Sequence, residues 1–474
     1  MPGKPATEFF RQTLSAHSWL GLVIGAAMYL ICLSGTLIVF HEELSRWEQP
    51  EVEEFSDFDP VVLSKTFNEW FTDDTRITPH LWAILPTTDL PRLRLASETD
   101  SWFMNADGSM GPRERNHWVE MLLDLHLYLH LPKTWGMIFV SALGAMLVAL
   151  VISGFLAHPK IIRDAFKLRL GGNRQLEQTD IHNRLSVWGA PFHLMIGITG
   201  AYFGFALVIL GVYGYVYDNG DTQSIVGDVF GNEPELSQPL GGVAIDRALH
   251  NMQHIAPEQS PILITVHDAG TEARFIEVYA TAPGRLIYSE NYIFDADGNY
   301  ISRRGFSDGV AGKQIIYSFY RLHFGRFGGF GVKVLYAVLG LALTIISATG
   351  ISIWLAKRRA RSWLDDLWAG IVWGAPAALS VSAMLTLAFG ASALVGFWAS
   401  YLASIGLCLW RRNERYSRRT LQLVSATSIV SLIATYTWLL PPSAIALPIT
   451  ATLLVSALVI GAIGLFNGRA TATA

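Results

Sequence analysis

The sequence predicts a predominantly α-helical polytopic membrane protein: four core spans from two parallel repeats, four additional C-terminal spans, and two small α+β domains outside the bilayer. Three observations predict it. Of the 474 residues, 51% are hydrophobic and only 16% charged, too apolar a balance for an ordinary soluble domain. The apolar residues gather into eight runs, each near the roughly 20 residues a helix needs to cross a bilayer core. A Ser-Gly or Thr-Gly pair also recurs near the end of each of the first four runs, as Ser34-Gly35, Ser153-Gly154, Thr199-Gly200 and Thr349-Gly350, so the first three quarters of the chain reads as the same unit twice.

Segment 1–40 carries the first span, 19–40, whose apolar stretch is too long for a secretory signal and lacks a small-residue cleavage pattern, so it reads as an uncleaved anchor. Segment 41–135 is the first outer domain. Segment 136–216 holds the second and third spans, 136–157 and 188–216, around a basic loop, and 217–331 is the second outer domain. The fourth span, 332–355, and a basic stretch complete segment 332–368; the last segment, 369–474, holds four more spans at 369–390, 392–410, 421–440 and 444–466. Basic residues collect on alternate connections: Arg11 before the first span, Lys160, Arg163, Lys167 and Arg169 after the second, Lys357, Arg358 and Arg361 after the fourth, Arg411 to Arg419 after the sixth. The positive-inside rule makes that side cytoplasmic, with both termini there and the two long segments outside. In those segments Asn105-Ala106-Asp107-Gly108 and Asp295-Ala296-Asp297-Gly298 read as tight turns between strands. The two cysteines, Cys32 and Cys408, lie within spans, so the outer domains hold no disulfide, and no CxxCH motif for covalent haem attachment occurs.

Thirteen histidines remain to be placed. His17, His126 with His130, His182, and His323 each stand before one of the first four spans, and His17 precedes Gly35 by the same interval as His182 precedes Gly200. Two halves running in the same direction have a pseudo-symmetry axis along the membrane normal, which brings His17 towards His182 on the inner side and His126 or His130 towards His323 on the outer side. Paired neutral imidazoles at one depth hold the iron of haem b from both faces, which leaves no open coordination position and suits electron transfer. His193 competes with His182 for the inner site: the interval favours His182, but an ionisable group within a span is functional by default, and His193 is preferred. The first-choice ligands of the haem iron are therefore His17, His193, His126 and His323, with His182, His130 and His158 as alternatives. The Ser/Thr-Gly pairs themselves read as points of close helix packing. His250 and His254 have helical spacing compatible with a metal but no evident third ligand, and read as a solvated helix face. After His323, Gly325, Gly328, Gly329 and Gly331 leave an opening over a porphyrin edge, flanked by Arg321 and Arg326, whose guanidinium groups suit haem propionates.

Several motifs in order carry a resemblance. His17-Ser-Trp-Leu-Gly21 with Ser34-Gly35, Phe40-His41-Glu42-Glu43-Leu44, Gly154 through His158-Pro159-Lys160, Pro191-Phe192-His193 with Thr199-Gly200, and Leu322-His323-Phe324-Gly325-Arg326-Phe327-Gly328-Gly329 resemble the PepSY-associated transmembrane family of iron-regulated bacterial inner-membrane proteins. Within it, the chain is similar to the siderophore-reductase branch, which releases iron from ferrioxamine B and carries two haems. The likeness covers about residues 10–360. It implies PepSY-like periplasmic domains and an oxidoreductase that reduces ferric siderophore in the periplasm, with two haems b as cofactors; the last four spans exceed the pattern.

Charge adds a hint about substrate. Most of the 39 Asp and Glu lie in the two outer segments, an excess that the net charge of −4 conceals. Such a surface attracts cationic ferric chelates, although acidity of exported domains for solubility explains it equally. Phosphate-binding glycine fingerprints of nicotinamide or flavin domains are absent, so an enzyme of this kind needs an external donor, a quinol or a cytoplasmic flavoprotein. Its expected partners are that donor, the ferric siderophore and the lipid bilayer, with no nucleic acid. The competing class is a non-enzymatic membrane module that binds a peptide or regulates a neighbouring protease, its histidines serving as anchors.

Overall fold

A computed structural model describes residues 4–71, 76–169, 173–217, 227, 231–358 and 360–469. It contains eight helices long and apolar enough to cross a membrane: α1 (Lys4–Ile38), α5 (Lys133–Ala157), α7 (Arg174–Tyr217), α10 (Gly329–Ala356), α11 (Trp363–Phe389), α12 (Ala393–Arg411), α13 (Glu414–Leu439) and α14 (Ala446–Arg469). Each coincides with one of the eight apolar runs. The protein is a multi-pass membrane protein. Helix α7 starts well before its apolar run, so His182 belongs to the same helix as His193. The fifth and sixth runs are separate helices because Gly390 ends α11 at φ 62° and the Ser392 hydroxyl accepts from Val395 N to start α12, a left-handed stop followed by an N-cap.

Two compact units share the chain. One comprises residues 1–50, 116–206 and 330–474. Within it, α2 (His41–Glu48) and α4 (His117–Tyr128) are short helices beside the spans. The Glu48 carboxylate accepts from Trp118 N at 2.8 Å and Val119 N at 2.9 Å, satisfying two donors that a helix start leaves unpaired. Burial pushes this carboxyl up to about 7. Leu129 and His130, which end α4, both have left-handed backbones, at φ 53° and 56°, a conformation that non-glycine residues adopt at a cost. A charged cluster lies in the same unit: Lys333 Nζ, 1% exposed, donates to Glu43 Oε1 at 2.8 Å and reaches Glu42 Oε2 at 3.4 Å, with both glutamates buried.

The second unit comprises residues 51–115 and 207–329. Its helices are α3 (Pro60–Trp70), α8 (Ile245–Ile255) and α9 (Ala311–Phe324). Asp59 caps α3 by accepting from Val61 N, and Pro60 occupies the first turn, where its missing N–H costs nothing. The short helix α6 (Ile161–Asp164) belongs to the first unit. The strands are β1 (His80–Ile84), β2 (Leu93–Ser97), β3 (Ser101–Met104), β4 (Met110–Arg113), β5 (Ser260–His267), β6 (Phe275–Thr281), β7 (Glu290–Phe294) and β8 (Tyr300–Arg304). The two predicted turns sit where expected: Gly108 N donates to Asn105 O and Gly298 N to Asp295 O, both glycines at positive φ.

The two outer segments do not form separate sheets. All eight strands join in one antiparallel sheet of order β4-β3-β2-β1-β5-β6-β7-β8, with His80 opposite His267 and Ile84 opposite Leu263. An unpaired edge exposes a row of backbone donors and acceptors, and the β1–β5 pairing removes two such edges at once. Alternating residues of the central strands, Leu81, Ala83, Ile264, Val266, Ile276 and Val278, enter one core with Leu63 and Phe67 of α3 and Ile245 and Leu249 of α8.

On the alternate face Glu277 is fully buried and accepts from His267 Nε2 (2.8 Å), Tyr279 OH (2.8 Å), Asn291 Nδ2 (3.0 Å) and Arg304 Nη1 (3.3 Å). Burial opposes its ionisation, but the His267 bond and the Arg304 charge outweigh burial and hold the carboxyl below its ordinary 4.5. A depressed folded-state value stabilises the fold above the unfolded value and loses that contribution as pH falls through the folded value. Sheet amides of β6 in the full protein are therefore expected to lose hydrogen-exchange protection below about pH 4.5, in step with Glu277 protonation. Glu277→Gln is expected to flatten that dependence; an unchanged pH profile in the variant would count against it.

Candidate functional site

Three histidines lie against three of the four Ser/Thr-Gly pairs. His17 Nδ1 lies 3.1 Å from Leu150 O and 3.1 Å from Ser153 Oγ. His182 Nδ1 lies 3.1 Å from Thr349 Oγ1. His126 Nδ1 lies 3.0 Å from Ile31 O and 3.4 Å from Ser34 Oγ. Each hydroxyl already donates to a carbonyl of its own helix, Ser153 to Leu150, Thr349 to Ile345 and Ser34 to Leu30, so towards the imidazole it is an acceptor. A carbonyl can only accept as well. The proton of these rings is thereby fixed on Nδ1, and Nε2 carries the lone pair, the tautomer in which a histidine ligates a metal.

The glycines of the pairs have a separate task. A Cβ on Gly35 would meet His126 Cε1 at 2.6 Å, one on Gly154 would meet His17 Cε1 at 3.3 Å, and one on Gly350 would meet His182 Cε1 at 3.4 Å. Each pair is a seat, with a hydroxyl that orients the ring and a missing side chain that admits it. The reading of these pairs as packing points alone is corrected by these contacts. The interval of the sequence repeat measures each histidine against a glycine on its own following span, whereas the ring seats on a neighbouring helix.

The rings of His17 and His182 are neighbours, with centres 6.5 Å apart and planes nearly perpendicular at 88°. Two imidazoles that each give one nitrogen to a single metal from opposite sides, at about 2.0–2.1 Å per bond, would hold their centres roughly 6–6.5 Å apart. The donor set, its tautomers and the spacing all fit haem iron held from two sides. His193 stands elsewhere on α7: it is 1% exposed, hydrogen-bonded to the backbone of Leu339, with Nε2 buried and unpartnered. That nitrogen lies over Gly189, where a Cβ would come within 2.5 Å of it. The structure thus brings His17 to His182 and not to His193.

Family comparison agrees with the motifs. A model of the PepSY-associated TM region matches residues 14–357. The chain belongs to that family. An uncharacterized protein of Pseudomonas aeruginosa is 26% identical over 255 residues, covering 51% of this chain. The chain spans 64% of that relative's length. The PepSY-associated region thus contains most of α1, all of α2 to α10 and every histidine named above, while α11 to α14 lie beyond it.

The remaining candidates of this PepSY-associated chain are placed as follows. His130 Nε2 donates to Met121 O at 2.8 Å and its Nδ1 accepts from Trp398 Nε1 at 2.9 Å, so both ring nitrogens are engaged. His158 ends α5 with Nε2 3.8 Å from Asp164, apart from the other rings. His323 lies in the last turn of α9, its ring 5.5 Å from that of Phe324, and Gly325 closes the helix at φ 68°. Arg321 donates to the carbonyls of Arg285 and Tyr288 at 3.2 and 3.3 Å. Arg326 lies over the rings of Tyr320 and Phe324 at 5.7 and 5.8 Å. The Nε2 atoms of His250 and His254 are 3.1 Å apart, and among the described residues no group of three His, Cys, Asp or Glu forms a metal cluster.

Proposed function

We propose that this protein is an inner-membrane haem b oxidoreductase that passes electrons across the bilayer to ferric siderophore in the periplasm, releasing ferrous iron. The observation that carries the proposal is the His17–His182 pair: two rings with Nδ1 tied down, 6.5 Å between centres. Bound haem would supply a reversible one-electron couple with no open coordination position. The chain's own residues do the rest of the work. Ser153 and Thr349 hold the tautomers, Gly154 and Gly350 admit the rings, and the surrounding apolar spans exclude water. His126, seated by Ser34-Gly35, is the ligand of a second haem, and the sequence repeat names His323 as its counterpart. Arg321 and Arg326, adjacent to His323 in sequence, are the candidates for propionate contacts.

The basic connections favour both termini in the cytoplasm by the positive-inside rule, the side on which a quinol or a flavoprotein would donate electrons. Motif resemblance and the acidic excess of the sheet-bearing segments support a ferric chelate as acceptor. Release follows from hard oxygen donors holding ferric ion better than ferrous ion. The test is to reduce purified protein in detergent with dithionite, remove excess reductant, and add ferric hydroxamate beside a ferrous trap without oxygen. Haem reoxidation is expected to coincide with trapped ferrous iron. Haem that stays reduced against several ferric siderophores overturns the reductase reading, and protein that binds no haem at all is the non-enzymatic PepSY-type module instead.

A further inference from the structure

Helices α11 to α13 hold the part of the molecule that the family region supplies. Trp118 Nε1 at the start of α4 donates to Leu379 O of α11 at 3.1 Å, and Trp398 Nε1 of α12 donates to His130 Nδ1 just beyond its end at 2.9 Å. Tyr29 OH of α1 donates to Val372 O at 2.7 Å, and Trp47 of α2 stacks on Tyr436 of α13 with ring centres 4.5 Å apart and planes at 6°. One apolar core joins Val119, Leu122 and Leu125 of α4 to Ala378, Leu379, Phe397 and Tyr401. Helix α4 is therefore gripped at both ends and along one face by residues that lie after residue 357.

His126 is on the last turn of α4, three residues before Leu129, the first of the left-handed pair Leu129 and His130. A bulky residue keeps a positive φ only where its surroundings over-determine it. Here the determinants are the two bonds of the His130 ring, Nε2–H to Met121 O within α4 and Nδ1 from Trp398 of α12. An indole N–H is a donor only, so the Trp398 bond requires an unprotonated Nδ1, and the Met121 bond takes the proton on Nε2. The ring is a fixed two-ended strut.

We infer that the C-terminal helices are a positioning clamp for the second haem site: Trp398, through His130, fixes the end of α4 and with it the setting of the His126 imidazole. This rests on the proposal that His126 is a haem ligand. Trp398 and His130 are positioning residues and touch no reacting atom.

The test uses full-length Trp398→Phe, His130→Ala and His130→Asn, with His126→Ala as reference. Haem content and electron paramagnetic resonance of the oxidised protein are read, together with redox titration. Trp398→Phe and His130→Ala are expected to retain both haems, to shift the signal and potential of the haem that His126→Ala removes, and to leave the other unchanged. His130→Asn, which tolerates a positive φ and offers a side-chain acceptor to the indole, is expected to stay near wild type. In protein expressed without haem, amides at the end of α4 are expected to exchange about five-fold faster in Trp398→Phe, the equivalent of one net hydrogen bond. Unchanged signals and exchange in both Trp398→Phe and His130→Ala overturn the clamp, as does an equal shift of both haems. Loss of no haem in His126→Ala overturns instead the ligand assignment on which it rests.

Discussion

On the proposed haem assignment, His17→Ala and His182→Ala are each expected to halve the haem content, from two per chain to one, because each would remove one of the two nitrogens that hold the same iron. Pyridine haemochrome assay against protein concentration reads the ratio directly. His193→Ala is expected to keep both haems, since its Nε2 lies over Gly189 instead of facing His17. Thr349→Val tests the orientation argument: it removes the hydroxyl acceptor of His182 while leaving the ligand and its backbone bond to Ile346, and loss of such a partner typically weakens metal binding by about 10–100-fold. Retention of both haems in His182→Ala, with loss of one in His193→Ala, would sink the pairing.

Lys333→Met is expected to be the most destabilising single change away from the histidines. It leaves Glu42 and Glu43, both buried, without the ammonium that lies 3.4 and 2.8 Å from them, respectively. Removing one partner of a buried ion group costs about 3–5 kcal/mol, because buried charge is left without its counterion. Replacing the whole cluster with neutral groups is much less costly on the same ground. Thermal unfolding of detergent-solubilised protein, followed by tryptophan fluorescence, is expected to show a large loss in Lys333→Met and substantial recovery in Glu42→Gln/Glu43→Gln/Lys333→Met. Equal melting of the single and triple variants would refute the account.

The span count was legible because a helix in lipid must satisfy its backbone internally and cover about 30 Å with apolar side chains, a demand that each segment meets alone. The turns at Gly108 and Gly298 were legible for the same reason: their geometry is local. What joins distant segments was not. Ser34, Ser153 and Thr349 were visible as a repeat, but whether a hydroxyl packs or accepts a hydrogen bond depends on which ring arrives from another helix. The preference for His193 over His182 followed from depth in the apolar run, and that run understated the length of α7, which carries His182 into the bundle beside His17. Nothing near Trp398 in sequence points to His130, and the Phe-Ile-Glu-Val-Tyr alternation of β6 marks Glu277 as a polar residue among apolar neighbours without naming its partners. The motif Phe40-His41-Glu42-Glu43 carried family resemblance, yet the role of its carboxylates emerges only with Lys333 in place.

The pairing of β1 with β5 sets an order on biosynthesis. Strand β1 is made early, and its partner follows only after α5 and α7 have been threaded into the bilayer. Until Ser260–His267 emerges, the first four strands end in an open edge of backbone donors and acceptors, the kind of surface that recruits foreign strands. The half-made protein is therefore its own aggregation hazard for the time that two membrane insertions take. Contacts so distant along the chain also form slowly. Production of this protein should depend more on what shields nascent strands than on the stability of the finished sheet, and a chain truncated after α7 should be cleared or aggregate instead of accumulating as a stable half.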